Sequence, residues 1–117
     1  MQKLESIADQ IRHSFDARTA SRDQALAQAR QLTRACSLAI RAVHRDETDV
    51  MEGHLSEARQ LADRLKTDLA QYPDLFYSGY TQDALKEFVE ANVTCALIRN
   101  QPLQSNLYSH TLFLSFR

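Results

Sequence analysis

The sequence predicts an all-α protein, an antiparallel bundle of long helices, and three observations lead to this fold class. From residue 1 to residue 71 the chain has a single glycine, Gly53, and no proline, a composition typical of long helices. Apolar residues recur at intervals of three and four, the period of a helix with one buried face. The hydrophobic share of 44% and the charged share of 25% are ordinary for a folded globular chain. At 117 residues we expect one domain.

The first helix is predicted from near the start of the chain to about Asp46. Its opening apolar residues should form one buried stripe: Leu4, Ile7, Ile11 and Phe15. Ser21 and Gln24 resemble a capping box, so this region holds either one long helix or two helices in line. The stripe then resumes through a second apolar set: Leu32, Ala35, Cys36, Ala39, Ile40 and Val43.

A second helix should begin with the acidic group Asp46, Glu47 and Asp49, because carboxylates are favourable at the positive end of a helix dipole. Its apolar stripe extends to about Gln71, where Pro73 stops it.

A short aromatic connector, PDLFYSGYT, leads to the third helix. Gly79 should supply a turn and Thr81 an N-cap, and the helix should run from about Gln82 to Arg99, with Pro102 closing it. The connector aromatics are expected to pack into the core, and the alternative is that they stack on single-stranded bases.

We place a helical domain at residues 1–103 and an atypical tail at residues 104–117. The tail lacks acidic residues and contains TLFLSF, a strand-like and aggregation-prone stretch. The sequence shows neither a signal peptide nor a membrane-spanning run, so we expect a cytoplasmic protein with no membrane partner. Cys36 and Cys95 have no ligand cluster around them and should be small buried side chains.

Two glutamates three residues apart, Glu87 and Glu90, are candidate metal ligands in the third helix. The buried side of that helix is predicted to hold Leu85, Phe88, Val89, Val93 and Ala96, with Asn92 near it. Both glutamates then lie on the opposite side, roughly 60° apart and on adjacent turns, so they can converge on one Mg²⁺ or Mn²⁺ ion. Such an ion could activate water or polarise a phosphoryl group, although two carboxylates need further ligands. The alternative is a solvated helix face.

A basic row follows the first helix. Arg30, Arg34, Arg41 and Arg45 are separated by spacings of four, seven and four, within a band of roughly 60° away from the apolar stripe. Guanidinium groups fork onto phosphate oxygens and release counterions, so this row matches a nucleic-acid backbone. His44 could contact phosphate or act as a general acid. The alternative is a solvated face with salt bridges to acids of the second helix.

Total charge is uninformative about such a partner, because 14 basic residues face 15 acidic ones. Only the placement of the arginines indicates nucleic acid.

Two segments together resemble the translin and Trax (translin-associated factor X) family. ARQLTRACSLAIRAVHR, residues 29–45, is similar to that family's Arg-rich early helix. DALKEFVEANVTCALIRNQPL, residues 83–103, resembles the Trax-type helix with its E-[YF]-V-E-A pattern. PDLFYSGYTQDALKEFVEA looks most like the archaeal and bacterial members. The resemblance covers nearly all of the chain up to about Leu103.

The resemblance implies an all-helical protein that assembles into hollow, usually octameric particles and binds single-stranded DNA and RNA. Trax-type members are divalent-metal-dependent endoribonucleases, and the family's first two acidic ligands fall on Glu87 and Glu90. A later helix of the family supplies an Asp and a Glu to the same cluster, whereas no acidic residue follows Glu90 here. We therefore expect a homo-oligomer that binds single-stranded RNA or DNA. A Mg²⁺-dependent endoribonuclease subunit, a non-catalytic binding module and a helical oligomerisation scaffold stay open.

Overall fold

The computed structural model describes residues 2–100, which form four helices and contain no strand. The helices are α1 (Gln2–His44), α2 (Thr48–Asp68), α3 (Pro73–Phe76) and α4 (Gly79–Arg99). The all-α prediction is confirmed, whereas the predictions for Pro102 and for the tail at 104–117 lie outside the described residues.

The three long helices alternate in direction. α2 folds back along α1 after a short turn, and α4 folds back along α2, so α4 runs in the same direction as α1. Cys95, near the end of α4, accordingly lies 3.9 Å from the carbonyl oxygen of Ala39. Arg99, the last residue of α4, is ion-paired with Asp46 in the turn that follows α1.

α1 is one continuous helix of 43 residues. At 1.5 Å per residue its length is about 64 Å, and it sets the long dimension of a molecule measuring 67 × 27 × 19 Å. Of the two alternatives at Ser21, the single helix is the one formed. Since α1 contains no glycine or proline, its backbone offers no favourable point for a break.

The two other long helices, α2 and α4, pack against the C-terminal part of α1. Both α2 and α4 have 21 residues, about half the length of α1. The buried residues of α1 accordingly run from Ala25 to Val43, and every residue from Gln2 to Ala20 is exposed. The predicted buried stripe at the start of the chain is therefore wrong, with exposed fractions as follows: Leu4 69%, Ile7 46%, Ile11 53% and Phe15 66%.

A left-handed residue ends α1. Asp46 has a φ of 61°, a conformation that aspartate tolerates better than most residues. The N–H of Glu47 donates to the carbonyl oxygen of Ala42 over 2.9 Å and closes the helix end. α2 begins at Thr48, so of the three predicted first-turn acids only Asp49 lies in its first turn.

The junction between α3 and α4 is fixed by buried polar side chains. The hydroxyl of Thr81 donates to the carbonyl oxygen of Leu75 over 3.0 Å, and the amide of Gln82 donates to that of Phe76 over 2.9 Å. The N-cap position of α4 is Ser78. The prediction of Thr81 as N-cap is therefore wrong, because Thr81 lies within α4 and bonds the carbonyl end of α3.

The core between α1, α2 and α4 is rich in small residues. In α4 the prediction is correct for Leu85, Phe88 and Asn92, which are buried, but Val89, Val93 and Ala96 are only partly buried. Their places at the helix contact are taken by Ala84, Ala91 and Cys95. Small side chains let the helix backbones approach closely, so the buried face is turned toward them. Cys36 and Cys95 are both buried, as predicted.

Candidate nucleic-acid interface

Three arginines of the basic row lie along the outer side of α1, and the fourth, Arg45, follows in the turn directly after its last residue. Arg30, Arg34, Arg41 and Arg45 are all exposed, and His44 beside the last of them is exposed too. From Arg30 to Arg45 the row is about 22 Å long at helical rise. The buried residues of α1 occupy the other side, so the guanidinium groups face solvent.

Within residues 2–100 the four row arginines have no acidic partner, whereas three arginines outside the row, Arg12, Arg18 and Arg99, are ion-paired. Salt bridges from the row to acids of the second helix, which were the alternative interpretation, are therefore absent from the described part of the chain. A row of unpaired guanidinium groups has its full hydrogen-bonding capacity available to an anion.

Part of the row borders a groove between α1 and α4. This groove has a volume of about 400 Å³ and is lined by Leu26, Ala29, Arg30, Thr33, Arg34, Tyr80, Asp83, Ala84 and Glu87. The buried hydroxyl of Tyr80 has no hydrogen-bond partner within residues 2–100. The groove is therefore bordered by two cationic and two acidic side chains around an apolar floor.

Arg34 lies at the ridge between two grooves. On one side it borders the groove with Glu87, and on the other a groove of about 410 Å³ lined by Gln31, Ala35, Leu38 and Glu57. An anion bound at Arg34 would consequently meet a carboxylate on each flank. This arrangement favours ligands that lie along the row and disfavours ligands that enter either groove.

The two glutamates of the candidate metal pair are both exposed. Glu87 lies at the edge of the buried face of α4 and lines the groove with Arg30 and Arg34. Burial is the main cause of the raised pKa of the Cys36 thiol, and the carboxylate of Glu87 raises it further. Glu87 therefore lies close to α1. Glu90 lies farther round α4 and is not among the residues that line the groove.

No group of three or more His, Cys, Asp or Glu side chains within residues 2–100 is arranged to hold a metal ion. Glu87 and Glu90 would therefore need a third ligand from outside this part of the chain. Mg²⁺ commonly keeps several waters and takes only one or two carboxylates, so this donor pair fits Mg²⁺ or Mn²⁺ chemistry as a partial set.

The structure brings together some of the predicted site residues and separates others. Arg30, Arg34 and Glu87 border one groove, whereas Arg41, His44 and Arg45 continue the row toward the end of α1. The sequence reasoning missed Asp83 as a groove residue. Its spacing of four from Glu87, which places both on one side of a helix, is the signal that could have found it.

The connector aromatics pack mostly as predicted. Phe76 is buried, and Tyr72 and Tyr80 are half-buried. Tyr77 is 57% exposed and stands edge-on against Phe76, with ring centroids 5.0 Å apart. Tyr77 is therefore the aromatic ring of this connector most accessible to a ligand.

No helix within residues 2–100 combines the length and the apolar character needed to cross a membrane. Comparison of the chain with protein-family models, with curated proteins and with solved structures finds no match.

Proposed function

We propose that this protein binds single-stranded RNA or DNA along the outer side of α1. The observation that carries the proposal is the row of four exposed arginines, Arg30, Arg34, Arg41 and Arg45, none of which is ion-paired within residues 2–100. His44 extends the same surface. The resemblance of residues 29–45 to the translin and Trax family points to the same ligand.

The spacing of the row suits a flexible strand. Successive arginines are separated along the helix axis by about 6, 10 and 6 Å, so a strand can follow α1 and present one phosphate to each guanidinium. Contacts of this kind neutralise phosphates without reading bases, and they predict binding with little sequence preference.

Binding is tested by fluorescence anisotropy with a labelled single-stranded oligonucleotide at low salt. We expect the wild-type chain to bind and the Arg34→Glu/Arg41→Glu variant to lose at least about tenfold in affinity, since each reversal removes a phosphate contact and adds repulsion. Arg64→Glu is the matched control, because Arg64 is an exposed arginine on α2 outside the row. Equal losses in both variants would mean that only total charge matters, and the row would then have no special role.

A second candidate function is a Mg²⁺-dependent or Mn²⁺-dependent endoribonuclease, which the resemblance implies and which Glu87 favours by its place beside Arg30 and Arg34. The arginines would position the RNA, and Glu87 with Glu90 would supply carboxylates to the ion. The remaining ligands would come from a neighbouring subunit or from residues outside 2–100, consistent with the expected homo-oligomer.

This second function predicts RNA cleavage in Mg²⁺ or Mn²⁺ that stops in EDTA and in Glu87→Ala. A non-catalytic module predicts binding that is indifferent to Mg²⁺ and to Glu87→Ala/Glu90→Ala. A pure helical scaffold, the remaining alternative, predicts no oligonucleotide binding even at low salt.

A further inference from the structure

The N-terminal arm of α1, residues 2–17, carries an apolar stripe that the rest of the described chain leaves uncovered. The stripe consists of Leu4, Ile7, Ile11 and Phe15, each about half exposed or more. We infer that two copies of this chain pair through their arms, antiparallel, with the stripes packed against each other. This inference does not rest on nucleic-acid binding, because the arm and the arginine row are separate surfaces.

Two residues of the stripe, Ile7 and Ile11, lie on the face of α1 that forms the core. Residues that are about five helical turns apart lie on the same side of a helix. This interval relates Ile7 to Ala25 and Val43, and it relates Ile11 to Ala29. Ala25, Ala29 and Val43 are buried. The face that packs against the other helices therefore becomes an exposed apolar face where those helices end.

The end of the bundle leaves a notch beside the arm. Arg18 is ion-paired with Asp74 in α3, and Gln28 donates to Asp68 at the end of α2 over 3.0 Å. Beyond Arg18 the arm projects alone for about 24 Å. Ile7 and Ile11 lie on the side of the arm that, farther along α1, packs against the other helices.

The bundle itself selects the orientation of the pair. In a parallel pair, α2, α3 and α4 of both copies would lie at the same end of the dimer and between the two α1 helices. The two sets of helices would then occupy the same space. In an antiparallel pair the bundles lie at opposite ends, and each arm enters the notch of the other copy. Only the antiparallel arrangement lets all four apolar residues of each arm make contact.

The charges beside the stripe complement each other in this arrangement. Placing Ile7 opposite Ile11 also brings Leu4 near Phe15 of the other copy. A twofold axis then brings the same flank of both helices together, so Glu5 of one copy lies within about one turn of Arg12 of the other. In the single chain Arg12 is ion-paired with Asp9 of its own arm, an exposed pair that costs little to exchange.

The contact is small, so the dimer should be weak. Two arms about 24 Å long and about 10 Å wide bury roughly 500 Å² in total, less than the roughly 1,000 Å² that most specific interfaces exceed, so the contact belongs to the weak, transient class. Concentration should therefore control the dimer.

Sedimentation equilibrium of the full chain tests the pairing. Between about 1 and about 300 µM, the mass should rise from 13.4 kDa toward twice that value. Ile7→Ser/Ile11→Ser should raise the dissociation constant at least about tenfold. The matched control is Leu97→Ser, which alters an apolar residue that is 76% exposed on α4 and should change nothing. A wild-type monomer at the highest concentration, or an Ile7→Ser/Ile11→Ser variant that dimerises like wild type, would overturn the inference.

Cysteine cross-linking tests the orientation. In the antiparallel pair the two copies of residue 8 lie within about one turn of each other, whereas the two copies of residue 4 are about 15 Å apart, beyond the roughly 7 Å limit for a disulfide. Ala8→Cys should therefore oxidise to a covalent dimer and Leu4→Cys should not. The reverse result would contradict the antiparallel pair. Glu5→Arg should also weaken the dimer, and adding Arg12→Glu should restore it.

Discussion

The salt dependence of oligonucleotide binding follows from the number of arginines in the row. Four phosphate contacts on a single strand predict a slope of log affinity against log salt of about −2.8, since each contact contributes about −0.7. Between 50 and 200 mM salt the affinity of the wild-type chain should then fall about 50-fold.

Removing two of the four contacts should halve that slope. The perturbation is Arg34→Gln/Arg41→Gln, which removes two charges from exposed positions without altering the core. The slope should become about −1.4, so the same change in salt should weaken binding only about sevenfold. Arg64→Gln on α2 serves as the control and should keep the wild-type slope.

The assay is fluorescence anisotropy of a labelled single strand, measured at four or more salt concentrations for each variant. A wild-type slope near zero would refute the argument, because binding would then not depend on counterion release. A slope that the double variant leaves unchanged would show that the phosphates lie elsewhere on the molecule.

Three further predictions concern the fold. Gly53→Ala should raise the free energy of unfolding by about 0.5 to 1 kcal/mol, because a Cβ there meets nothing within 4 Å and glycine weakens a helix; urea denaturation measures it. Phe88→Ala, at a fully buried position, should lower it by about 3 to 5 kcal/mol, whereas Leu97→Ala should change it by less than about 0.5 kcal/mol. Burial, followed by the charges of Glu87 and Cys95, raises the pKa of the Cys36 thiol from 9.0 to about 12. Because the unfolded chain loses this proton at lower pH than the folded chain, the free energy of unfolding should fall as pH rises between these two values, and it should fall less steeply in Cys36→Ala.

The helical class could be predicted because composition and periodicity agree along most of the chain. Continuity across Ser21 could not be decided from the sequence, since a capping box is compatible with a helix interior when no glycine or proline forces a break. The Thr81 prediction was wrong because a threonine hydroxyl satisfies a preceding carbonyl as readily as it caps a helix.

The predicted burial was wrong where it depended on the lengths of other elements. An amphipathic stripe such as Leu4 to Phe15 shows that a helix has an apolar side, but it does not show what covers that side. In α4 the pattern of large apolar residues pointed to Val93, whereas the buried positions include Ala91 and Cys95. Small residues carry little weight in a hydrophobic pattern, although they allow the tightest packing.

For the candidate site, the exposure of the arginine row followed from helical spacing alone. The groove that joins Arg30 and Arg34 to Glu87 did not, because it depends on how α4 is rotated against α1.

The most direct test of the central claim, that the outer side of α1 binds a phosphate backbone, is NMR observation of the arginine side-chain Nε–H groups during titration with a single-stranded oligonucleotide. We predict that Arg30, Arg34, Arg41 and Arg45 shift together, while Arg64 on α2 stays unchanged. Shifts confined to arginines outside the row, or no shift in any arginine at low salt, would contradict the account.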